Sequence, residues 1–370
     1  MMDKNLQSLE QNLTSWTDDV PTCKDSGVGS CWNEMHRKDG RRAQIHDFED
    51  RSFRFHREEY NLCLYGVFDG YDGAHVADYI MKRLPAELVL GQIVPDVPDE
   101  QIKELIKQAF ISIDKEYFGS IGEKLAARMV MRSENIRPEQ HSLLAELEQF
   151  VRSGCSATIA VVISNKIFIA NTGDCQAFLC YTDDSAAGDD DLTVTPVSVD
   201  HTLDNEDEAL RLHHLGLHLT DADMNFGSQR YTRCFGNYLV KGGYKESPGL
   251  SECREDPVIA EPEIQGPVTV TDNLQMLIIT TRSLIQAVRT FSDDPPQQEL
   301  CHLLMHHLTH QPSVSLSSVV QSTLDHIVRR MEDTVREDSI IKREDMTLLV
   351  RCFKPSQSSH QLLRRQSSPR

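Results

Sequence analysis

Four short β-branched runs follow one another between Cys155 and Val199: Cys155–Ile163, Lys166–Asn171, Gln176–Tyr181 and Leu192–Val199. Turn residues such as Ser164-Asn165 and Gly173-Asp174 separate them. Links that short join neighbours as antiparallel hairpins, because a parallel pair needs a long crossover. The acidic tract Asp183–Asp191 reads as a hairpin loop, too small and charged to pack. Another run, Leu62–Phe68, is apolar throughout and closes on Asp69-Gly70; it predicts a buried strand followed by a turn. Further strands are expected near Ala43–Ile45, Ser52–His56, Leu274–Thr281 and Met346–Phe353.

Helical periods surround these strands. Ala74–Leu90 is one, and Ile102, Leu105, Ile106, Ala109, Phe110, Ile113 and Tyr117 make a single apolar stripe. His141–Val151 and Val319–Val335 follow the same period, as does Asn205–Leu215 with Gly216 placed as its C-terminal cap. Arg132–Gln140 and Tyr244–Asp256 read as loops. The pattern predicts an α+β protein, with antiparallel sheets covered by helices.

At 370 residues the chain has room for one large domain or two small ones. Its formal net charge of −19 repels nucleic acid and anionic membranes, so neither is expected as a partner. The ten cysteines are scattered without a CxxC pair, which predicts free thiols in a reducing compartment. Residues 1–16 lack the apolar core of a signal peptide, and no apolar run approaches the roughly 20 residues of a membrane span. The expected location is cytoplasmic.

The string YGVFDGYDG (Tyr65–Gly73) resembles an element of the type 2C protein phosphatases. Six further pieces follow in that family's order: SGCSAT (Ser153–Thr158), IANTGDCQAFL (Ile169–Leu179), VDHTLDNEDEALRLHHLG (Val199–Gly216), EPEI (Glu261–Ile264), LIITTRSLIQAV (Leu277–Val288) and EDMTLLV (Glu344–Val350). The resemblance implies a β-sandwich of two antiparallel sheets flanked by helices on both faces. SWTDDVPTC and SGVGS, within Ser15–Ser30, are similar to one branch of that family: adaptors without phosphatase activity that bind the TGF-β-activated kinase. By this reading residues 1–40 form an extension packing on or leading into the core, 41–353 the phosphatase-like domain and 354–370 a disordered tail.

The family's chemistry needs two divalent cations, Mn²⁺ or Mg²⁺, held by clustered carboxylates around a shared water. The resemblance lets each position be checked. Asp69 and Gly70 match the bridging aspartate and its neighbouring carbonyl, and Glu344 replaces the aspartate of the last motif, keeping its charge with one more methylene, so these are the expected vestiges of the site. Glu49-Asp50 is present, but Ile45 occupies the position of the phosphate-binding arginine. Tyr71 replaces a histidine and reads as packing or surface. Asp174 matches an aspartate associated with a further metal, although Gly-Asp between strands also makes a turn. Arg282 and Gln286 replace two aspartates, the first a metal ligand. A guanidinium stays charged at any working pH and repels a cation, so an ion pair from Arg282 to Asp69 or Glu344 is expected in the metal's stead.

The resemblance thus implies a pseudophosphatase with no catalytic residues and no required cofactor. It would act as an adaptor and regulatory subunit in kinase signalling through the NF-κB and MAP kinase stress pathways. The TGF-β-activated kinase and the X-linked inhibitor of apoptosis protein are its implied partners. The branch carries its kinase-activating aromatic helix at the end of a long tail, and the residues up to Arg370 do not spell one. The alternative is a weak Mn²⁺- or Mg²⁺-dependent serine/threonine phosphatase, motivated by Asp69 and Asp174. His213-His214 and His306-His307 read as solvated or capping side chains, since no cysteine or carboxylate recurs at ligand spacing. The RRQSS string near the end matches a basophilic kinase site.

Overall fold

The structure is a computed structural model that describes residues 23–36, 41–90, 93–133, 137–182, 192–217, 231–247, 249–310, 313–334 and 341–353. The expected loop at 183–191 and the expected tail at 354–370 lie outside these residues.

The chain opens with β1 (Ser26–Cys31), β2 (Glu34–His36) and β3 (Arg42–Ala43), then the hairpin β4 (Arg51–Arg57) and β5 (Leu62–Tyr71). Four helices follow: α1 (His75–Leu90), α2 (Asp99–Ser120), α3 (Gly122–Ser133) and α4 (His141–Arg152). The four runs predicted from the sequence are β6 (Gly154–Ile163), β7 (Lys166–Thr172), β8 (Gln176–Thr182) and β9 (Leu192–Pro196). β6–β7 and β8–β9 pair as expected, but the Gly173-Asp174 link is no hairpin, because it carries the chain from one sheet to the other. Next come α5 (Glu206–His214), β10 (Phe235–Gly236), β11 (Glu263–Thr269) and β12 (Leu274–Thr280). The chain continues through α6 (Arg282–Arg289), α7 (Pro296–His310), α8 (Leu316–Thr334), β13 (Ile341–Arg343) and β14 (Met346–Cys352).

Two antiparallel sheets face each other. One runs β1-β14-β12-β8-β9 and the other β11-β7-β6-β5-β4, with β10 beside β6. Side chains along a strand alternate between faces, and the burial follows that rule. In β5, Tyr65 and Val67 enter the layer between the sheets, while Leu62, Leu64 and Phe68 meet α1 and α2 on the outer face. In β12, Leu277 and Ile279 point inward, and Met276 and Ile278 pack under α6, α7 and α8. Helices therefore cover both outer faces, and the α+β sandwich expected from the sequence is the fold observed.

Local departures have local causes. β5 does not stop at Asp69-Gly70, because β6 continues to pair with it as far as Tyr71 opposite Gly154. The turn falls instead at Asp72 and Gly73, whose φ values of 55° and 115° are left-handed, a conformation glycine adopts without strain. α3 occupies the start of the loop expected at Arg132–Gln140; it packs Leu125 against the core and buries Arg128. That guanidinium is held by Glu148 at 3.0 Å and Glu246 at 2.7 Å. β1, within the segment assigned to an extension, is the edge strand of its sheet, with Ser26 opposite Arg351 and Cys31 opposite Met346. No helix of the described residues is long and apolar enough to cross a membrane.

Candidate functional site

The family positions converge where β5, β12 and β14 meet the β7–β8 turn. Asp69 sits on β5 opposite Ser156 of β6, and Asp174 follows Gly173, whose φ of 97° makes the tight turn. The Ser156 hydroxyl fixes that turn by accepting the N–H groups of Asp174 and Cys175 at 2.9 and 3.0 Å. Arg282 opens α6 directly after β12. Glu344 and Asp345 immediately precede β14.

Two networks flank Asp69. In the first, Asp345 is buried and fully engaged: its Oδ1 accepts from the Asn33 backbone N–H (2.6 Å) and Nδ2 (2.8 Å), and its Oδ2 from the Glu49 N–H (2.8 Å). Glu49 Oε1 accepts the Gly73 N–H at 2.6 Å. Asp50 is completely buried and takes the Thr347 hydroxyl at 2.7 Å. His46 faces Glu49, Glu344 and Asp345 at 3.7, 3.7 and 3.9 Å. Burial alone would lower its pKa, but the Asp47 carbonyl and these carboxylates outweigh that and raise it.

The second network contains the guanidinium. Arg282 pairs with Asp174 at 3.6 Å and with Asp200 at 3.4 Å, so the expected pairing with Asp69 or Glu344 is corrected. The reason is topological: the first residue of α6 faces the β7–β8 turn and the end of the β9 segment, whereas Glu344 points outward, its side chain 58% exposed and near Lys342. Gln176 donates to both Asp200 oxygens at 3.1 and 3.0 Å. Arg282 therefore supplies one positive charge between two carboxylates.

The charge balance shows in the acids. Loss of hydration pushes Asp50 up to about 8, with Asp345 and Glu49 adding and the Thr347 hydroxyl opposing. Asp174 is pushed up to about 7 by burial, against the pull of Arg282. Asp69 keeps some exposed surface, yet its carboxyl lies well above the ordinary range, first through lost hydration and then through Asp50, Asp174, Asp345 and Glu49. Carboxylates this close favour protonation unless a cation joins them.

The remaining positions carry no substitute chemistry. Gly70 is pressed against the Glu49 carbonyl, where a Cβ would come within 2.5 Å. The Tyr71 hydroxyl turns inward, donating to Cys234 Sγ at 3.3 Å and accepting from Asn237 Nδ2 at 3.5 Å. Ile45 offers the site only its backbone, whose N–H donates to Asn33 Oδ1 at 2.9 Å. Gln286 is exposed on α6.

Sequence reasoning passed over Asn33, His46, Thr347 and Asp200. Asn33 ties the segment before β2 to the cleft through four side-chain bonds: Nδ2 to Asp345 and the His46 carbonyl, Oδ1 from the Ile45 and His46 N–H groups. Asn33→Ala is expected to cost about 2–4 kcal/mol, because a buried carboxylate loses a donor and two backbone donors lose their acceptor. Urea denaturation reads this as a lower midpoint at unchanged slope.

The protein phosphatase 2C profile matches residues 34–334. The chain belongs to that family. Among the relatives of this phosphatase 2C member, TGF-beta-activated kinase 1 and MAP3K7-binding protein 1 of Caenorhabditis elegans is 22% identical over 342 residues, 90% of this chain and 82% of that protein. Probable protein phosphatase 2C 22 of Arabidopsis thaliana is 26% identical over 276 residues, 75% of this chain and 59% of the plant protein. The crystal structure of serine-threonine phosphatase 2C from Toxoplasma gondii superposes with a TM-score of 0.56 at 15% identity, covering 90% of this chain and 97% of that one. A C. elegans sex determining protein gives 0.56 at 14%, covering 98% and 73%. These structural likenesses carry the fold.

The donor set does not fit the family's pair of divalent ions. Among the described residues, the one group of three ligating side chains with donor atoms all within 4.8 Å of each other is Glu34, His36 and Glu332, away from the cleft. That group is itself an ion-pair cluster: Arg343 holds Glu34 at 3.0 Å and Glu332 at 2.9 Å, and Arg42 holds Glu332 at 3.2 Å. In the phosphatase 2C cleft the carboxylates around Asp69 already meet a cation of the chain's own, since Arg282 pairs with Asp174 and Asp200.

Proposed function

We propose that this phosphatase 2C chain is a catalytically silent adaptor that binds a protein kinase of the TGF-β-activated type. The observation that carries the reading is Arg282, a cation bound to Asp174 and Asp200 where the family's chemistry calls for a metal-binding carboxylate. Ile45 and Tyr71 support it, since the cleft then lacks both a phosphate-binding guanidinium and an imidazole at their family positions. The C. elegans relative, which spans most of both chains and is named for binding that kinase, supplies the partner. On this reading the protein works in cytoplasmic stress signalling through NF-κB and MAP kinase routes, with the X-linked inhibitor of apoptosis protein as a second partner.

The test is calorimetry with the purified kinase domain. Saturable binding that survives chelation of divalent metal supports the adaptor. Absence of binding, together with turnover of a phosphothreonine peptide, would sink it.

One observation favours a second reading, a weak Mn²⁺- or Mg²⁺-dependent serine/threonine phosphatase. Asp50 Oδ1 and Asp174 Oδ1 are buried without a hydrogen-bond partner, and a single ion near Asp69 would serve such oxygens. That ion would use Asp69 and the Gly70 carbonyl, with Glu344 swung inward from its exposed position.

A further inference from the structure

The outer face of α7 concentrates imidazoles. His302, His306, His307 and His310 lie on this one helix, and His326 faces them from α8. His306 and His310 are one turn apart, the spacing at which helical side chains are neighbours. Their rings lie with centroids 4.1 Å apart and planes inclined by 29°.

The protonation pattern favours a ligand. His310 Nδ1 lies 2.8 Å from the His306 carbonyl oxygen. A carbonyl only accepts, so Nδ1 carries the hydrogen and the lone pair is at Nε2. A backbone carbonyl on the other ring nitrogen is the arrangement that orients imidazoles on metals. Beside the pair, the His307 ring stands 5.6 Å from that of His306 and 5.6 Å from that of His326. His307 Nε2 is buried with no hydrogen-bond partner.

We propose that His306 and His310 form a chelating site for a late first-row divalent cation: Cu²⁺, Ni²⁺ or Zn²⁺. Imidazole nitrogens select these ions over Mg²⁺ and Mn²⁺, which prefer oxygen ligands. Two protein ligands leave the remaining coordination positions to water, so the site is open and exchangeable. It differs in kind from the Glu34–His36–Glu332 group, where arginines already neutralise the carboxylates.

The test is titration of the full, untagged chain with CuCl₂, NiCl₂, ZnCl₂ and MnCl₂ in a non-chelating buffer, followed by calorimetry. One ion per chain is expected, with Cu²⁺ held more tightly than Ni²⁺ or Zn²⁺ and Mn²⁺ weakest. His306→Ala with His310→Ala lowers Ni²⁺ affinity at least about tenfold, while the circular dichroism spectrum is unchanged because both side chains are exposed. Asp69→Ala and His36→Ala leave Ni²⁺ binding as in the parent, which separates this site from the cleft and from the ion-pair cluster. Equal Ni²⁺ affinity in the double variant, or a parent chain that binds Ni²⁺ no better than Mn²⁺, overturns the proposal.

Discussion

Arg282→Asp raises the affinity of the cleft for Mn²⁺ by about a hundredfold, equivalent to about 2.7 kcal/mol. The parent protein, by contrast, is expected to bind Mn²⁺ weakly and to turn over a phosphothreonine peptide no faster than buffer. The argument is electrostatic. The substitution changes local charge by two units, and at ~4 Å and an effective dielectric of ~20 each unit pair is worth about 4 kcal/mol. Arg282 is partly solvated, its side chain 26% exposed, so the lower end of that scale applies. The change also removes the counter-charge of Asp174 and Asp200, and an incoming ion supplies the replacement. Metal titration of both proteins reads the shift directly. Tight Mn²⁺ binding by the parent, with turnover that disappears in Asp69→Ala, would falsify the silent-cleft reading.

Stability is expected to be greater at pH 5.5 than at pH 8, by about 2–4 kcal/mol, since each unit of pKa difference is worth about 1.36 kcal/mol. Asp50 and Asp174 titrate near 8 and 7 in the folded chain, and Asp69 is also raised; unfolded aspartates titrate near ~3.9. Between those limits the folded state holds more protons. Folding is thus favoured at the acid end and loses stability as pH rises through the folded values. His201 works in the opposite direction. Burial and then Arg233 hold it down to about 4, so its contribution is lost as pH falls below the unfolded value of ~6.5. His75, His307 and His326 are also depressed, but the raised carboxyls, joined by Glu49 and by the raised His46, outweigh these imidazoles over this window. Urea midpoints at the two pH values measure the difference, and Asp50→Asn should flatten the profile. A maximum above pH 7.5 would contradict the protonation states described for the cleft.

The sandwich was legible in the sequence because its strands are short, β-branched and joined by tight turns. The Gly173-Asp174 turn, read as a hairpin, nevertheless passes the chain between the two sheets, because spacing does not tell a hairpin from a sheet-to-sheet link. Alternation along β5 and β12 then settled which side chains face the second sheet. Harder to see were elements held by polar contacts. α3 anchors through Arg128 and its two glutamates, polar contacts that an apolar period does not report. β1 contains two glycines, and at Gly27 a Cβ would meet the Leu316 and Ser317 backbone at 2.7 Å; close approach of α8, rather than side-chain burial, defines that strand. Within the cleft, motif positions located Asp69, Asp174 and Arg282. The Arg282 partner was misjudged because Asp200 belongs to a motif better known for the histidine after it, and spacing does not reveal that two turns meet at α6. Asn33 lay outside every motif, and nothing in its neighbourhood announces four hydrogen bonds.

The pairing of β1 with β14 has a geometric corollary. Ser26 lies across from Arg351, so polypeptide enters the sheet and leaves it at one shared corner. Asp345 and the carboxylate cleft lie at the opposite end of β14, which at ~3.3 Å per residue is about 20 Å distant. The two flanking ends of the described chain, Cys23 and Phe353, therefore share the pole remote from the acidic groove.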